Sequence, residues 1–502
     1  MQTSSRRLFQ AGNQIDPPAR LGQNLPGDFI NPLIGNRSDS IEHAIARPKR
    51  REGLMTVVIG ADRSGAGKTT VTLALLAYLA QYGSVQAFKV GPDYIDPMFH
   101  AAMTARPCRN LDPVLTSATY VQQCFARHCW GARWALVEGV MGLFDGVPIA
   151  DVPDFASTAH VARLLELPVL LVLDCQRLSG SIAAIVSGFC SFDPRVRVAG
   201  VVLNRVGSDR HLELLSMALE PLQVPILGVL RRDDRIAIPD RHLGLVPTDE
   251  LAHLAELRDC LSDLAATRFD WEQLLPLLAA PQRSHAATTA SVRFPARVGI
   301  ARDRAFNFYY PDNLDLLAAL GAELVEWSPL SADTLPDVQG LYLGGGFPEV
   351  FAAELAANRS LRDCLRAAIV SNMPVYAECG GLMFLCRQLV DFSGRVWEMV
   401  GALPATATMG ARLTLGYRQA IALRDSPLFR CGEVAWGHEF HRSTLGPAPD
   451  RPLFRTQGLA ASTLIMEGWQ TAQLHASYIH LHWGTRSELP ARFLERCQHW
   501  GE

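Results

Sequence analysis

The sequence predicts two α/β units in series, the first a doubly wound parallel sheet and the second an α/β unit that ends in antiparallel strand. Three observations carry that expectation. Short, nearly continuous apolar runs alternate with helical ones from residue 55 to about residue 268, the pattern of parallel strands covered by helices on both faces. A stretch of small and polar residues with proline, AAPQRSHAATTASVRFPA, then breaks the series before a second one begins. Beyond about residue 400 the chain shows many short alternating runs, which read as antiparallel strand.

The elements follow in order. MTVVIGA, the helical TTVTLALLAYLAQYG, VQAFKVG, WALVEGV, LPVLLVLD and RVAGVVLNRV build the first unit, placed at residues 55–270. A linker is expected at 271–295. ARVGIARD, GAELVEW, VQGLYLGGG and MPVYAECGG open the second unit, at 296–502. Residues 1–54 differ from all of this. They are rich in Arg, Asn, Pro and Gly, lack sustained periodicity, end in RPKRRE and read as a disordered extension. Asp16, Asp28, Asp39 and Glu42 are foreign to an acid-poor transit peptide, no apolar core suits a secretory signal, and Met55 reads as the functional start.

Composition narrows the function classes. With 502 residues, 48% hydrophobic and 19% charged, the chain has room for two or three cores. A formal charge of −3 creates no general attraction for nucleic acid, so no nucleic-acid partner is expected. Apolar runs such as LPVLLVL fall far short of the roughly 20 residues that span a bilayer, so no membrane partner is expected either. The 11 cysteines form no CxxC pair, which points to a reducing, cytoplasmic setting instead of structural zinc or disulfides.

SGAGKTT, residues 64–70, carries the clearest chemistry. Backbone N–H groups from Ser64 to Lys68 can wrap a phosphate because Gly65 and Gly67 allow close approach, while the helix that begins with Lys68, Thr69 and Thr70 aims its N-terminus at the anion. Lys68 would neutralise phosphate oxygens and Thr69 would hold Mg²⁺, with ATP the expected cosubstrate. Asp62 stands where the usual first glycine belongs, so the loop resembles the variant found in dethiobiotin synthetase-like ATPases. Carboxylates then gather at strand ends, where open parallel sheets bind ligands. KVGPDYIDP supplies Lys89, Asp93 and Asp96, and LVEGVMGLFDG supplies Glu138 and Asp145. Taken singly each acid is as readily a cap or turn residue; beside the phosphate loop they favour a site that binds metal and orients a substrate.

A second site centres on YAECGG. Cys379 lies at the end of a predicted strand, and Gly380 and Gly381 let a sharp turn expose its sulfur while turn N–H groups stabilise an oxyanion. A nucleophile of this kind needs a base. HASYIHLHW offers two, since alternation along a strand would place His480 and His482 on one face. Cys175 and Cys386 read as structural thiols.

SGAGKTT, FKVGPDYIDPMFH, RNLDP, VEGVMGLFDG, VVLNRVGS, RHLGLVP, FYYPDNL, YLGGGFPE, YAECGGLMFL, GHEFH and HASYIHLHW together resemble the cobyrinate a,c-diamide synthase family, in unbroken order from Met55 to Trp483. The resemblance implies an N-terminal dethiobiotin synthetase-like amide synthetase and a C-terminal class I glutamine amidotransferase-like domain. It also implies ATP, glutamine and a cobyrinate-type tetrapyrrole as partners, in the synthesis of vitamin B12, and leaves a homodimer open. Carried over by motif, Cys379 is the nucleophile, His480 the base, and Gly345, Gly346 and Gly380 the oxyanion turns. Thr69 and Glu138 serve the metal, Asp93, Asp96 and Asp145 the synthetase chemistry, and Asn204 the adenine edge. In the wider amidotransferase class an acid follows the histidine by two residues; His482 fills that place here, so a Cys-His dyad is expected. Two alternatives stand beside this reading: the same amidation of hydrogenobyrinate or nickel-sirohydrochlorin, and a P-loop switch ATPase with an inactive amidotransferase half.

Overall fold

The computed structural model describes residues 56–149, 152–232, 240–241, 244–281, 294–459 and 463–500. The expected extension at 1–54 and most of the expected linker lie outside the described residues. Seven parallel strands form the first sheet: β1 (Val57–Ala61), β2 (Val85–Val90), β3 (Arg109–Leu111), β4 (Trp134–Glu138), β5 (Val169–Asp174), β6 (Val198–Asn204) and β7 (Ile226–Val229). Their order is β3-β2-β4-β1-β5-β6-β7, so the chain reverses its direction of winding beside β1. β1 and β5 are buried along their whole length, which is why their sequences are almost unbroken apolar runs. Helices cover both faces, among them α1 (Lys68–Ala80), α2 (Ile95–Thr104) and α3 (Ala118–Cys129), and the two resulting cores lie on opposite sides of the sheet.

The expected linker starts too early. Residues 271–280 belong to the first unit: Trp271, Leu274 and Leu278, spaced as one helical stripe, are buried in its core. The Trp271 ring sits 4.5 Å from that of Tyr78, and Ala135 N–H donates to the Leu278 carbonyl at 2.9 Å. Residues 282–293, the polar part of the stretch, fall outside the described residues.

Among the described residues the second unit holds two large sheets and a two-stranded pair of residues 306–308 with 345–346. One contains β8 (Ala296–Ala301), β9 (Ala322–Trp327), β10 (Gly340–Leu343), β11 (Val375–Glu378) and β15 (Leu474–Ser477), all parallel, in the order β9-β8-β10-β11-β15. Its edge is closed by the short antiparallel β14 (Trp469–Gln470). The other is mainly antiparallel and is dominated by the long pair β12 (Leu403–Ala422) and β13 (Val434–Gly446), as the alternating tail predicts. After β15 the chain crosses from one sheet to the other, where β16 (His480–Leu481) pairs with β13.

The two units share an interface built of named side chains. In the helix α4 (Pro311–Ala319), Asp312 accepts from the Tyr120 hydroxyl at 2.9 Å and lies 3.5 Å from Arg109, both in the first unit. The next residue, Asn313, turns the other way. Its amide donates to the Leu481 carbonyl and accepts from Trp483 N–H, each at 2.8 Å, and so grips the backbone on both sides of His482. Tyr417 on β12 donates to Asp112 at 2.9 Å. Among the described residues no helix is long and apolar enough to cross a membrane.

Candidate active site

The phosphate loop joins β1 to α1 through two glycines at positive φ, Gly65 at 76° and Gly67 at 101°. Ser64 and Gly65 are exposed, which leaves their backbone N–H groups free to meet an anion. Lys68 donates to the Met141 carbonyl at 2.5 Å, which ties the loop to the turn carrying Asp145. Burial, and after it the neighbouring Lys89 charge, lowers the Lys68 pKa. Asp62, at the substituted glycine position, pairs with Arg63 at 2.6 Å, and burial raises its pKa.

Behind the loop lies a compact polar cluster. Thr69 donates to Glu138 Oε1 at 2.7 Å and sits 3.4 Å from Asp96 Oδ2. Lys89 donates to Asp96 at 2.5 Å and to Glu138 at 2.8 Å, and His100 Nε2 lies 2.6 Å from the other Glu138 oxygen. Against the cost of full burial, Lys89 and His100 hold the Glu138 carboxyl well below the usual carboxylate range. Asp93 caps the first turn of α2, accepting from Ile95 N–H at 2.9 Å and Asp96 N–H at 3.2 Å. Desolvation, and after it the Asp96 charge, pushes Asp93 up to about 7. The Thr69 hydroxyl and the Glu138 carboxylate, 2.7 Å apart, are hard oxygen donors of the kind that suits a magnesium ion.

Not every expected site residue reaches this cluster. Asp145 folds back on its own loop, accepting from Gly142 N–H at 2.8 Å. Asn204 donates to the Ala66 carbonyl at 2.8 Å and accepts from Arg205 N–H at 2.9 Å, so its amide braces the phosphate loop from behind. The sequence reading left His100 out of the site and named Lys89 beside the acids without giving it a role. The only signal was their place in FKVGPDYIDPMFH, whose two ends the fold brings onto one glutamate.

Cys379 follows β11 and caps the short helix α5 (Gly380–Leu385) at φ 45° and ψ −97°, a strained conformation for any residue but glycine. The turn fits because its neighbours lack side chains. A Cβ on Gly380 would stand 2.9 Å from Gly346 N, and one on Gly345 would stand 2.6 Å from His480 Cε1. The three glycines expected at the oxyanion turns thus pack around one point beside the nucleophile and the histidine. Burial, and then the charges of Glu349 and Glu378, push the Cys379 thiol well above its ordinary range, so the sulfur needs a base to ionise.

The two histidines do not share a face. β16 ends at Leu481, and His480 and His482 have separate surroundings. His480 is 1% exposed, lies 3.8 Å through Nδ1 from Glu378 Oε2, and packs 5.1 Å from the Tyr94 ring. His482 faces the interface, against Tyr120 and Tyr310, and accepts from Gly484 N–H at 3.1 Å. Burial lowers its pKa, and the nearby Asp312 charge only partly offsets that. Below this region, Glu467 accepts from the Ser477 hydroxyl at 2.7 Å and from Tyr478 N–H at 3.2 Å, and burial pushes its carboxyl up to about 8. Cys175 and Cys386 are buried thiols, each raised to about 12 by that burial, as the structural reading expects.

Comparisons with known proteins agree with this division. Residues 57–246 match the family described as the CobQ/CobB/MinD/ParA nucleotide binding domain, and residues 297–488 match the CobB/CobQ-like glutamine amidotransferase domain. The chain is 58% identical over 451 residues to a cobyrinate a,c-diamide synthase of Synechococcus sp., covering 88% of this chain and 98% of that protein. It is 50% identical over 450 residues to one of Gloeobacter violaceus, covering 88% and 97%. A hydrogenobyrinate a,c-diamide synthase of Streptomyces coelicolor is 42% identical over 482 residues, covering 88% and 97%.

Proposed function

The chain belongs to the cobyrinate a,c-diamide synthase family, and from that premise we propose that it uses ATP and glutamine to amidate the a and c side-chain carboxylates of cobyrinate in cobalamin biosynthesis. One observation carries the reading furthest. Tyr94, between Asp93 and Asp96 on the loop of the synthetase unit, packs its ring against His480 of the amidotransferase unit at 5.1 Å. The two candidate sites therefore meet at the interface, where ammonia made at one is next to the other.

Cys379 loses its proton to His480 and attacks the glutamine amide carbon. The protonated histidine returns the proton to the leaving nitrogen, which departs as ammonia and leaves a thioester that water hydrolyses to glutamate. The N–H groups of Gly345, Gly346 and Gly380 stabilise the oxyanion. In the first unit a corrin carboxylate oxygen attacks the ATP γ-phosphorus, ADP departs, and ammonia then displaces phosphate from the acyl phosphate. Lys68 and the Ser64–Thr70 backbone hold the nucleotide phosphates, Asn204 keeps that loop in shape, Asp145 braces the turn to which Lys68 is tied, and Asp93 and Asp96 position the corrin carboxylate. Thr69 and Glu138 would hold magnesium, which supplies charge neutralisation on the phosphate oxygens when bound.

The test is amide formation and ATP consumption with cobyrinate, hydrogenobyrinate or nickel-sirohydrochlorin, each with glutamine or free ammonia. Cobyrinate should give the highest kcat/KM with either nitrogen source. Amidation of another ring but not of cobyrinate would overturn the substrate; ATP turnover without any amide would overturn the ligase reading in favour of a switch ATPase.

A further inference from the structure

We propose that Glu378, the residue just before the nucleophile, is the positioning carboxylate of His480. It fills the part that an acid two residues after the histidine plays in the wider class. The inference rests on the glutaminase reading of Cys379 and His480.

The usual place for that acid holds His482, whose ring faces Tyr120 and Tyr310 at the interface. His480 is buried, yet its Nδ1 has no hydrogen-bond partner, an expensive state for an imidazole out of water. Glu378 Oε2 lies 3.8 Å from that nitrogen. The carboxylate is itself 1% exposed and is held from three directions. Oε1 accepts from Leu481 N–H at 2.9 Å and from the Tyr376 hydroxyl, and Oε2 accepts from the Tyr342 hydroxyl at 3.1 Å. The Leu481 bond matters most, because it locks the acid to the residue next to His480. Nucleophile, acid and base are thereby tied together by one hydrogen bond between the end of β11 and β16. The other groups facing the imidazole are Tyr94 from the first unit and His438, its partner across the β13–β16 pair; burial, and then the His480 charge, lower the His438 pKa to about 3.

Closing the gap by about 1 Å would make a hydrogen bond of ordinary length, and catalytic bonds often tighten in this way only when substrate is present. Neutral His480 then carries its proton on Nδ1, directed at Glu378, which leaves Nε2 as the base. Nε2 takes the proton from Cys379 Sγ, the thiolate forms the C–S bond, and the C–N bond breaks as Nε2 returns that proton to the leaving ammonia. Glu378 orients the ring and stabilises the imidazolium.

Glu378→Gln keeps the size and loses the charge. Its glutaminase kcat should fall on the order of 10²-fold or more, with KM for glutamine within about threefold and ammonia-dependent amidation unchanged. Added to His480→Ala, the same change should cost nothing further, because Glu378 acts only through the histidine. An equal loss in both backgrounds, a fall with both nitrogen sources, or a kcat within about threefold of native would overturn the proposal. If the Gln variant does not accumulate, Glu378→Asp decides: it should hydrolyse glutamine with native KM and reduced kcat, and a raised KM with native kcat would overturn the idea. Cys379→Ala run alongside separates the two readings, since glutamine use that survives it sinks the glutaminase assignment itself.

Discussion

Each active site is built on a strand-to-helix turn at positive φ, and the two turns solve the same strain in opposite ways. In the phosphate loop a glycine takes the left-handed position, and the Asn204 amide fills the space where a Cβ on Gly67 would stand, 2.1 Å away. At the elbow the reacting residue itself takes φ 45°, and the surrounding Gly345 and Gly380 give up their side chains instead. The difference follows from what each turn must present. A phosphate is met by backbone N–H groups, so the turn is best with no side chain. A nucleophile must be a side chain, so the strain of about 1–3 kcal/mol falls on the residue that reacts.

Substitutions can break this contrast at graded cost. The largest effect is expected from Cys379→Ala, which should abolish glutamine-dependent amidation while amidation with free ammonia stays near native, measured by product formation with each nitrogen source. Lys68→Ala should lower turnover with both sources by roughly 10²–10³-fold and weaken nucleotide binding in titration. Unchanged ATP affinity would show that the loop binds through its backbone alone. Gly345→Ala puts a methyl group against His480 and should cost roughly 10²-fold with glutamine only; its mirror, Gly67→Ala, should harm ATP binding and spare glutamine hydrolysis. Asp96→Asn should leave ATP affinity intact and lower turnover roughly 10-fold, as expected of a group that positions the substrate instead of holding the nucleotide.

The smallest effect concerns pH. Glu467 has its folded-state pKa raised from the ordinary 4.5 to about 8. Its contribution to stability is therefore fully present below about 4.5 and is lost as pH rises through about 8. Glu467→Gln should flatten the decline in Tm between pH 5 and pH 9 by a few degrees, and an unaltered slope would place the titration elsewhere.

Much of this was legible in the chain, for local reasons. The phosphate loop, the Cys379 elbow and the parallel strands announce themselves because glycine freedom and apolar runs act over a few residues. The first unit extends through Leu278 because Trp271, Leu274 and Leu278 form a stripe, whereas composition alone suggested a linker from residue 271. What could not be read were partners far apart in sequence. Glu378 stood in the motif that named the nucleophile, yet its link to Leu481 spans 103 residues and depends on a strand changing sheets. Alternation placed His480 and His482 together, but β16 stops between them. Asn204 was matched to the adenine edge, and its contact with Ala66, 138 residues away, has no sequence mark.

Adjacent residues of α4 serve different masters, Asp312 reaching Tyr120 and Arg109 while Asn313 grips Leu481 and Trp483. The helix is thus a tie rod, and it sets a rule for rebuilding the enzyme from parts. A swap of amidotransferase halves between relatives that cuts at the linker would transplant the rod without its socket. A chimaera that carries Arg109 and Tyr120 across with the second half should keep glutamine hydrolysis in step with amide formation, and one that leaves them behind should leak ammonia. The heritable module is defined by that joint, not by the boundary between the two sheets.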